Sequence, residues 1–371
     1  MVFAEKISVI MPTYNTQISI LKEAVDSILN QTFCDFEFII IDDGSTNDTY
    51  EYLKSIPDER IKIIKNDTNI GITKSLNIGF RAAKGKYIAR MDSDDIAFPD
   101  RFEKQYAFME SHPDVFVCGT QVSYFNDKTL PVLKTDDQTK KQSAFIKRKA
   151  CRKKENTEIV NSKVEDMESY RVRMLFTNPG PVHPTAFFNH EKLIQYQIDY
   201  NEGLEYAQDY DLWMRISPVG QICTLPEVLL YYRLHSGQIS KAHREKQIEC
   251  DQMTQRKLLE QLLDKVSEED LSFHYQHSSG YYNNAKISPR AVHWYKRILS
   301  ANKERKIYDQ KKLVLYIDCI KTRLIGQTFT QDMSKSMKGL LLFQYLPFST
   351  ASKTIIRIIK TKACRLLLRH H

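Results

Sequence analysis

Two short acidic clusters have the residue types and spacing for chemistry. Asp92-Ser93-Asp94-Asp95 packs three carboxyl groups into four residues, and Asp42-Asp43-Gly44-Ser45 sets two beside a glycine and a serine. Carboxylate oxygens at a loop tip are hard ligands suited to Mg2+ or Mn2+. A cation held there with open positions can bridge the oxygens of a diphosphate and stabilise it as a leaving group. Each cluster alone reads more readily as a solvated turn, because acidic loops are common, Asp caps helices and Gly closes turns. Their order along the chain is what separates the two readings.

Both clusters follow candidate strands. Ile7–Met11, ended by Pro12, is a short apolar run of the kind found in buried strands. Four more such runs are Phe36–Ile41, Ile61–Lys65, Lys86–Met91 and Val115–Val122. Between them, Ile20, Leu21, Ala24, Val25 and Ile28 recur at helical spacing. Thr46 can cap a helix to about Lys54, Ile72–Ala83 is helical up to Gly85, and Pro99 can open another. This alternation predicts an α/β fold with a mostly parallel sheet flanked by helices. Such sheets bind ligands at the carboxyl ends of their strands, so the two clusters are expected to meet in one crevice.

A chain of 371 residues accommodates one large or two modest domains. Hydrophobic residues at 42% and charged residues at 27% exclude a wholly disordered chain. No apolar run approaches the roughly 20 residues that span a bilayer. The opening MVFAEKISVIMPTYN reads as the start of a strand, not as a signal peptide. Seven cysteines without a C-x-x-C pair indicate neither a disulfide framework nor a zinc site, and point to a reducing compartment.

The net charge of +8 equals the eight Lys and Arg residues that follow Asp332, where no acid occurs. The rest of the chain is balanced, so no nucleic-acid partner is expected. Within the tail, Ile355, Ile359, Ala363, Leu366 and Leu367 recur at helical spacing, with Lys353, Arg357, Lys360 and Arg369 largely on other faces. This predicts a basic amphipathic helix on an anionic membrane surface, against the simpler reading of a helix packed on the body. Residues 134–166 are polar and lack Gly and Pro, which reads as a solvated insertion.

Taken in order, the motifs become specific. They run Pro12-Thr13-Tyr14-Asn15, Asp42-Asp43-Gly44-Ser45, Asn69-Ile70-Gly71, Asp92-Ser93-Asp94-Asp95 and Pro99-Asp100-Arg101. Asn178-Pro179, His183-Pro184, Gln208-Asp209-Tyr210-Asp211-Leu212-Trp213 and Tyr232-Arg233-Leu234-His235 follow. From residue 5 to about 241 this series resembles the family 2 glycosyltransferases, which have the GT-A fold and use nucleotide sugars. The resemblance implies a GT-A domain over 1–241, with a nucleotide-sugar half (1–125) and an acceptor half (126–241), followed by a helical region over 242–371.

It also implies roles. Pro12, Thr13 and Tyr14 would line the nucleotide site. Asp43 would accept from the uracil ring N–H, and Asp42 would support that loop. Asp92 and Ser93 would meet the ribose or sugar. Asp94 and Asp95 would hold Mn2+ or Mg2+ on the diphosphate, completed by His235. Lys74 would reach a phosphate. Asp209 would be the general base of an inverting transfer, with Asp211 as the runner-up. Gln208 stands where the family usually has an acid, so Asp209 lacks an adjacent carboxylate to raise its pKa. His183 and Trp213 are candidate acceptor contacts.

The implied partners are a UDP-sugar, a glycan or lipid-linked acceptor and the inner face of the cytoplasmic membrane, reached from the cytoplasm. The implied pathway is bacterial-type surface polysaccharide synthesis. A sugar nucleotidyltransferase would want a Gly-rich loop after the first strand, where this chain has Met11-Pro-Thr-Tyr-Asn15. A non-catalytic carbohydrate-binding module would not need Asp94, Asp95, Asp209 and His235 together.

Overall fold

The computed structural model describes residues 3–126, 166–235, 243–278 and 285–328. The expected insertion up to residue 165 and the basic tail lie outside the described residues. The chain forms two compact units, Met1–Glu165 with Gly180–Cys250 and Asp166–Pro179 with Asp251–His371. The sequence reading set its single boundary at residue 241 and had no signal for the return of 166–179 to the later unit.

The first unit begins with β1 (Glu5–Thr13), α1 (Ile18–Leu29), β2 (Phe36–Asp42), α2 (Thr49–Lys54) and β3 (Ile61–Lys65). It continues with α3 (Ile72–Ala82), β4 (Gly85–Arg90), β5 (Ile96–Ala97), α4 (Arg101–Ser111) and β6 (Val115–Phe125). All seven positions of β2 are buried, as a strand covered on both faces requires. Helix α1 buries Leu21, Ala24, Val25 and Ile28, the stripe its spacing predicts. Helix α3 approaches the sheet closely at Gly79, where a Cβ would meet Ile10 Cγ2 at 2.5 Å.

After a one-turn 3-10 helix at His183–Thr185 come β7 (Phe187–Asn189), α6 (His190–Gln195), α7 (Gln208–Ile216) and β8 (Gln221–Arg233). Here α5 denotes Met167–Met174, in the second unit. The eight strands form one sheet in the order β3-β2-β1-β4-β7-β6-β8-β5. Four pairings are parallel, β1/β2, β1/β4, β2/β3 and β6/β8. The inserted β7 is antiparallel to β4 and β6, and β5 is antiparallel to β8. The register sets Thr13 beside Asp42 and Ile10 beside Arg90. The residues that follow β1, β2 and β4 therefore leave the sheet at one edge, which brings the two acidic loops together.

The second unit is helical among its described residues. It holds α5, the later part of α8 (Arg244–Leu262), α9 (Glu268–Ser278), α10 (Pro289–Arg305) and α11 (Gln310–Thr328). Ser288 caps α10 by accepting from the Ala291 N–H at 3.1 Å, with Pro289 at the first helical position. No described helix is long and apolar enough to cross a membrane.

Candidate active site

The loop after β2 holds its two acids differently, with Asp42 Oδ2 buried and without a hydrogen-bond partner and Asp43 answered on both oxygens. The Asp42 side chain is fully buried, and its Oδ1 accepts from the Ser45 N–H at 3.0 Å. Asp43 turns the other way. Its Oδ1 accepts from Asn66 Nδ2 at 2.8 Å and the Ile70 N–H at 3.0 Å, and its Oδ2 from the Gly71 N–H at 2.9 Å. Gly44 sits between this loop and the chain at Thr68–Asn69. It has φ +72°, and a Cβ would meet the Thr68 carbonyl carbon at 2.4 Å, so only glycine fits.

The end of β1 is tied to both acidic loops. Asn15 Oδ1 accepts from the Thr46 N–H at 2.8 Å, while the Asn15 N–H donates to Ser45 Oγ at 2.9 Å. The hydroxyls of Thr13 and Thr16 lie 2.9 Å apart, and Thr16 is 2.9 Å from Ser93 Oγ. Pro12 and Thr13 are buried in this seam, while Tyr14 is 47% exposed and faces outward. Lys74 is exposed on the first turn of α3.

The loop after β4 is crowded with charge. Carboxylate oxygens of Asp92, Asp94 and Asp95 lie within 4.8 Å of one another, the arrangement a divalent cation would occupy among the described residues. Buried Arg90 grips Asp92 through two bonds, of 2.6 and 2.5 Å. Burial pushes the Asp92 carboxyl above its ordinary value, against the pull of Arg90, and Asp94 adds to the push. Burial, then the charges of Asp92 and Asp94, raises the Asp95 carboxyl well above its ordinary value. Asp95 Oδ1 accepts from the Arg233 N–H at 2.9 Å, but buried Asp95 Oδ2 has no hydrogen-bond partner. An orphaned, desolvated carboxylate oxygen inside a group of three fits a hard cation. His235 Nε2 lies 2.8 Å from Asp94 Oδ2, so the histidine reaches the same group through Asp94.

The acceptor-side candidates separate sharply. Asp209 is half-buried in the first turn of α7, where its Oδ1 accepts from the Tyr210 N–H at 2.9 Å. The residue two before it, Ala207, holds φ +50°, a left-handed conformation that costs a non-glycine residue about 1–3 kcal/mol. Asp211 is fully buried, and its Oδ2 accepts from Arg215 Nε at 2.8 Å. Trp213 is fully buried too, stacked on Phe188 at 5.7 Å, with Gly180 pressed against its ring. The expectation that Trp213 stacks on a sugar is thus corrected, since an aromatic at this helical spacing goes to the core. Asp211 is corrected likewise: its carboxylate is spent on Arg215.

His183 lies 2.7 Å from Tyr200 Oη through Nε2. Burial, reinforced by Arg90, holds its imidazole well below the ordinary value, so it is neutral. Tyr200 is buried, and burial raises its phenol, with Arg90 opposing and Asp209 and Asp92 adding to the shift.

Three arginines around this loop had no role in the sequence reading. Arg90 pairs with Asp92, and Arg233 with the Asp94–Asp95 stretch. Fully buried Arg101 donates from Nη2 to the Arg90 carbonyl oxygen at 2.8 Å, and burial brings its guanidinium down to about 9. Arg101 and Arg233 stood in quoted motifs, Pro99-Asp100-Arg101 and Tyr232-Arg233. The signal was visible, but its meaning needed the fold. A separate cavity of about 590 Å³, lined by Phe80, His190, Leu193 and Ile198 among others, includes none of these acids.

A mostly parallel sheet with two acidic loops on one carboxyl edge defines a GT-A-type transferase domain. The family described as Glycosyl transferase family 2 matches residues 8–170. A Haemophilus influenzae protein named as an uncharacterized glycosyltransferase is 32% identical over 70% of this chain and 75% of its own length. The Escherichia coli O-antigen biosynthesis glycosyltransferase WbnJ is also 32% identical, over 64% of this chain and 83% of its own. The chain belongs to the family 2 glycosyltransferases.

Two solved structures share the fold. S. aureus TarS 1-349 with UDP-GlcNAc superposes with a TM-score of 0.51 at 20% identity, over 86% of this chain and 90% of that one. The mannosyltransferase PcManGT of Pyrobaculum calidifontis, with GDP-Man and Mn2+, gives 0.50 at 16% identity, over 87% and 86%. A longer TarS structure is covered over 53% of its length. Family membership makes the chain a transferase and sets aside the nucleotidyltransferase and binding-module readings.

Proposed function

We propose that this transferase is inverting and metal-dependent, and moves a sugar from a UDP-sugar to a hydroxyl of a surface glycan. One observation carries the reading: three carboxylates share 4.8 Å of space, and the buried oxygen of Asp95 is left without a donor. Asp94 and Asp95, with His235 against Asp94, would hold Mn2+ or Mg2+. The cation supplies Lewis-acid stabilisation of the diphosphate's developing charge.

The remaining work falls to the protein's side chains. Asp43 keeps a free lone pair on Oδ2 beside the bond from Gly71, enough to accept from a uracil N–H. Pro12, Thr13 and Tyr14 at the end of β1 would line the nucleotide site, and Asp92 and Ser93 would meet the ribose or sugar. Asp209 takes the proton of the acceptor hydroxyl as its oxygen bonds to the sugar C1. The C1–O bond to the diphosphate breaks on the opposite face, and UDP leaves with the bonding pair. A carboxylate can act as base because the hydroxyl becomes acidic as the new bond forms. The ion pair of Asp211 with Arg215 favours Asp209 over Asp211.

The name of the O-antigen enzyme WbnJ supports a surface-glycan acceptor. The tail cations support a place on the cytoplasmic side of an anionic membrane. Release of free nucleoside diphosphate from a panel of UDP- and GDP-sugars, with Mn2+ or with EDTA, tests the reading. Metal-dependent release from one of the UDP-sugars is expected. Equal release in EDTA overturns the metal role, and release only from GDP-sugars overturns the uridine assignment.

A further inference from the structure

Arg233 closes β8 and is 1% exposed. A guanidinium this deep is costly unless its charge and donors are answered. The acidic loop and one helix supply several of those partners. The Arg233 backbone N–H donates to Asp95 Oδ1 at 2.9 Å, and its Nε donates to the Asp94 carbonyl oxygen at 2.7 Å. Its Nη2 donates to Glu23 Oε2 on α1. The ring of Phe125, its register partner on β6, lies 4.6 Å from the guanidinium. Just beyond Asp95, Ile96 pairs with Tyr231 of β8, two residues before Arg233. The loop is thus fixed to β8 at consecutive residues, and β8 is fixed to α1.

Charge points the same way. A lone cation beside Asp94 and Asp95 would repel a divalent metal. Glu23 answers Arg233 from the outer side, so the pair holds the loop with little net charge. We infer that Arg233, anchored by Glu23, is the positioning residue for the cation-binding carboxylates, setting the spacing of Asp94 and Asp95 without touching substrate. The inference rests on the proposed cation site.

The test is Mn2+ binding to the UDP-bound protein, read from the paramagnetic resonance of free Mn2+. Positioning predicts that Arg233→Met binds Mn2+ about 10- to 100-fold more weakly, the usual effect of losing a residue that orients a metal's ligands. Its UDP affinity in EDTA stays at the wild-type value. A pure charge effect has the opposite sign, because removing a cation would tighten Mn2+. Glu23→Gln keeps Arg233 and its loop bonds and alters a partly exposed residue, so it serves as the folding-safe variant. It is expected to weaken Mn2+ several-fold, and the double variant to be no weaker than Arg233→Met alone.

Unchanged or tighter Mn2+ in folded Arg233→Met overturns the inference. If that variant does not fold, unchanged Mn2+ in Glu23→Gln overturns it. A wild-type protein that takes up no Mn2+ overturns the cation site and this inference with it. A metal-binding wild type with unaffected variants overturns the positioning role alone.

Discussion

The acids after β2 and those after β4 leave the same edge of the same sheet, yet they are treated in opposite ways. The loop after β2 surrounds Asp43 with three donors, two of them backbone N–H groups, and buries it at low cost. The loop after β4 draws three carboxylates together and leaves one buried oxygen unanswered. Around Asp43 the contacts are made before any ligand arrives, although the buried Oδ2 of Asp42 beside it has no hydrogen-bond partner. The other loop crowds its acids, and burial together with the neighbouring carboxylates raises Asp92 and Asp95 above their ordinary values. In the proposed reading, the first recognises a neutral hydrogen-bonding edge and the second needs a cation.

The largest effect tests an acid outside both loops. Asp209→Asn is expected to lower the transfer rate by about 10²–10⁴ while leaving UDP affinity near wild type. Asp211→Asn removes the same charge two residues away and breaks the pair with Arg215, so it should lower stability instead. An active Asp209→Asn beside a folded but inactive Asp211→Asn reverses the base assignment.

The contrast between the loops predicts two different losses. Asp95→Asn should weaken UDP binding in Mn2+ by about 100-fold and leave binding in EDTA unchanged. Its melting temperature without metal should hold or rise, because a crowded buried charge is gone. Asp43→Asn should behave the other way. An amide nitrogen would face the Gly71 N–H, at a cost of about 1–3 kcal/mol, and UDP binding should fall equally with and without Mn2+. Calorimetry under both conditions decides. If both variants lose only the Mn2+-dependent part, the two loops are one site and the contrast fails.

Much of this was legible before any coordinates. Ile61–Lys65 forms the expected strand to the residue, α3 matches its expected span within one residue, and α1 buries Leu21, Ala24, Val25 and Ile28 of its expected stripe. Long apolar runs carry such signals strongly. The antiparallel β7 and the two-residue β5 were not legible, since two or three residues have no periodicity to read. Their partners are distant in sequence and known only once the sheet exists. The same limit hid Arg90 and Arg233. A charged residue at a strand end looks solvated until the fold shows which carboxylates it meets. Trp213 failed for the converse reason: its motif neighbours point to chemistry, but its helical spacing points to the core.

His274, in the second unit, is the counter-case that sharpens the comparison, and it gives the smallest effect. It is fully buried, but both ring nitrogens are answered inside the protein. Nε2–H donates to the Leu175 carbonyl oxygen at 2.8 Å, and Nδ1 accepts from Trp294 Nε1–H at 3.0 Å. The two bonds fix the neutral tautomer. Burial lowers its pKa from 6.5 to about 4, although the bond to Leu175 opposes the shift. Between those values the unfolded chain binds a proton that the folded chain refuses. Stability contributed by this residue is therefore full above about pH 6.5 and is lost as pH falls toward 4. The slope is at most about 1.4 kcal/mol per pH unit. Urea unfolding at pH 7 and pH 5 should show a larger loss for the wild type than for His274→Gln, which cannot titrate. Equal losses would mean that His274 is protonated in the folded state. In that case a buried polar group with complete partners still takes on charge, and the line drawn between the two acidic loops would need another physical basis.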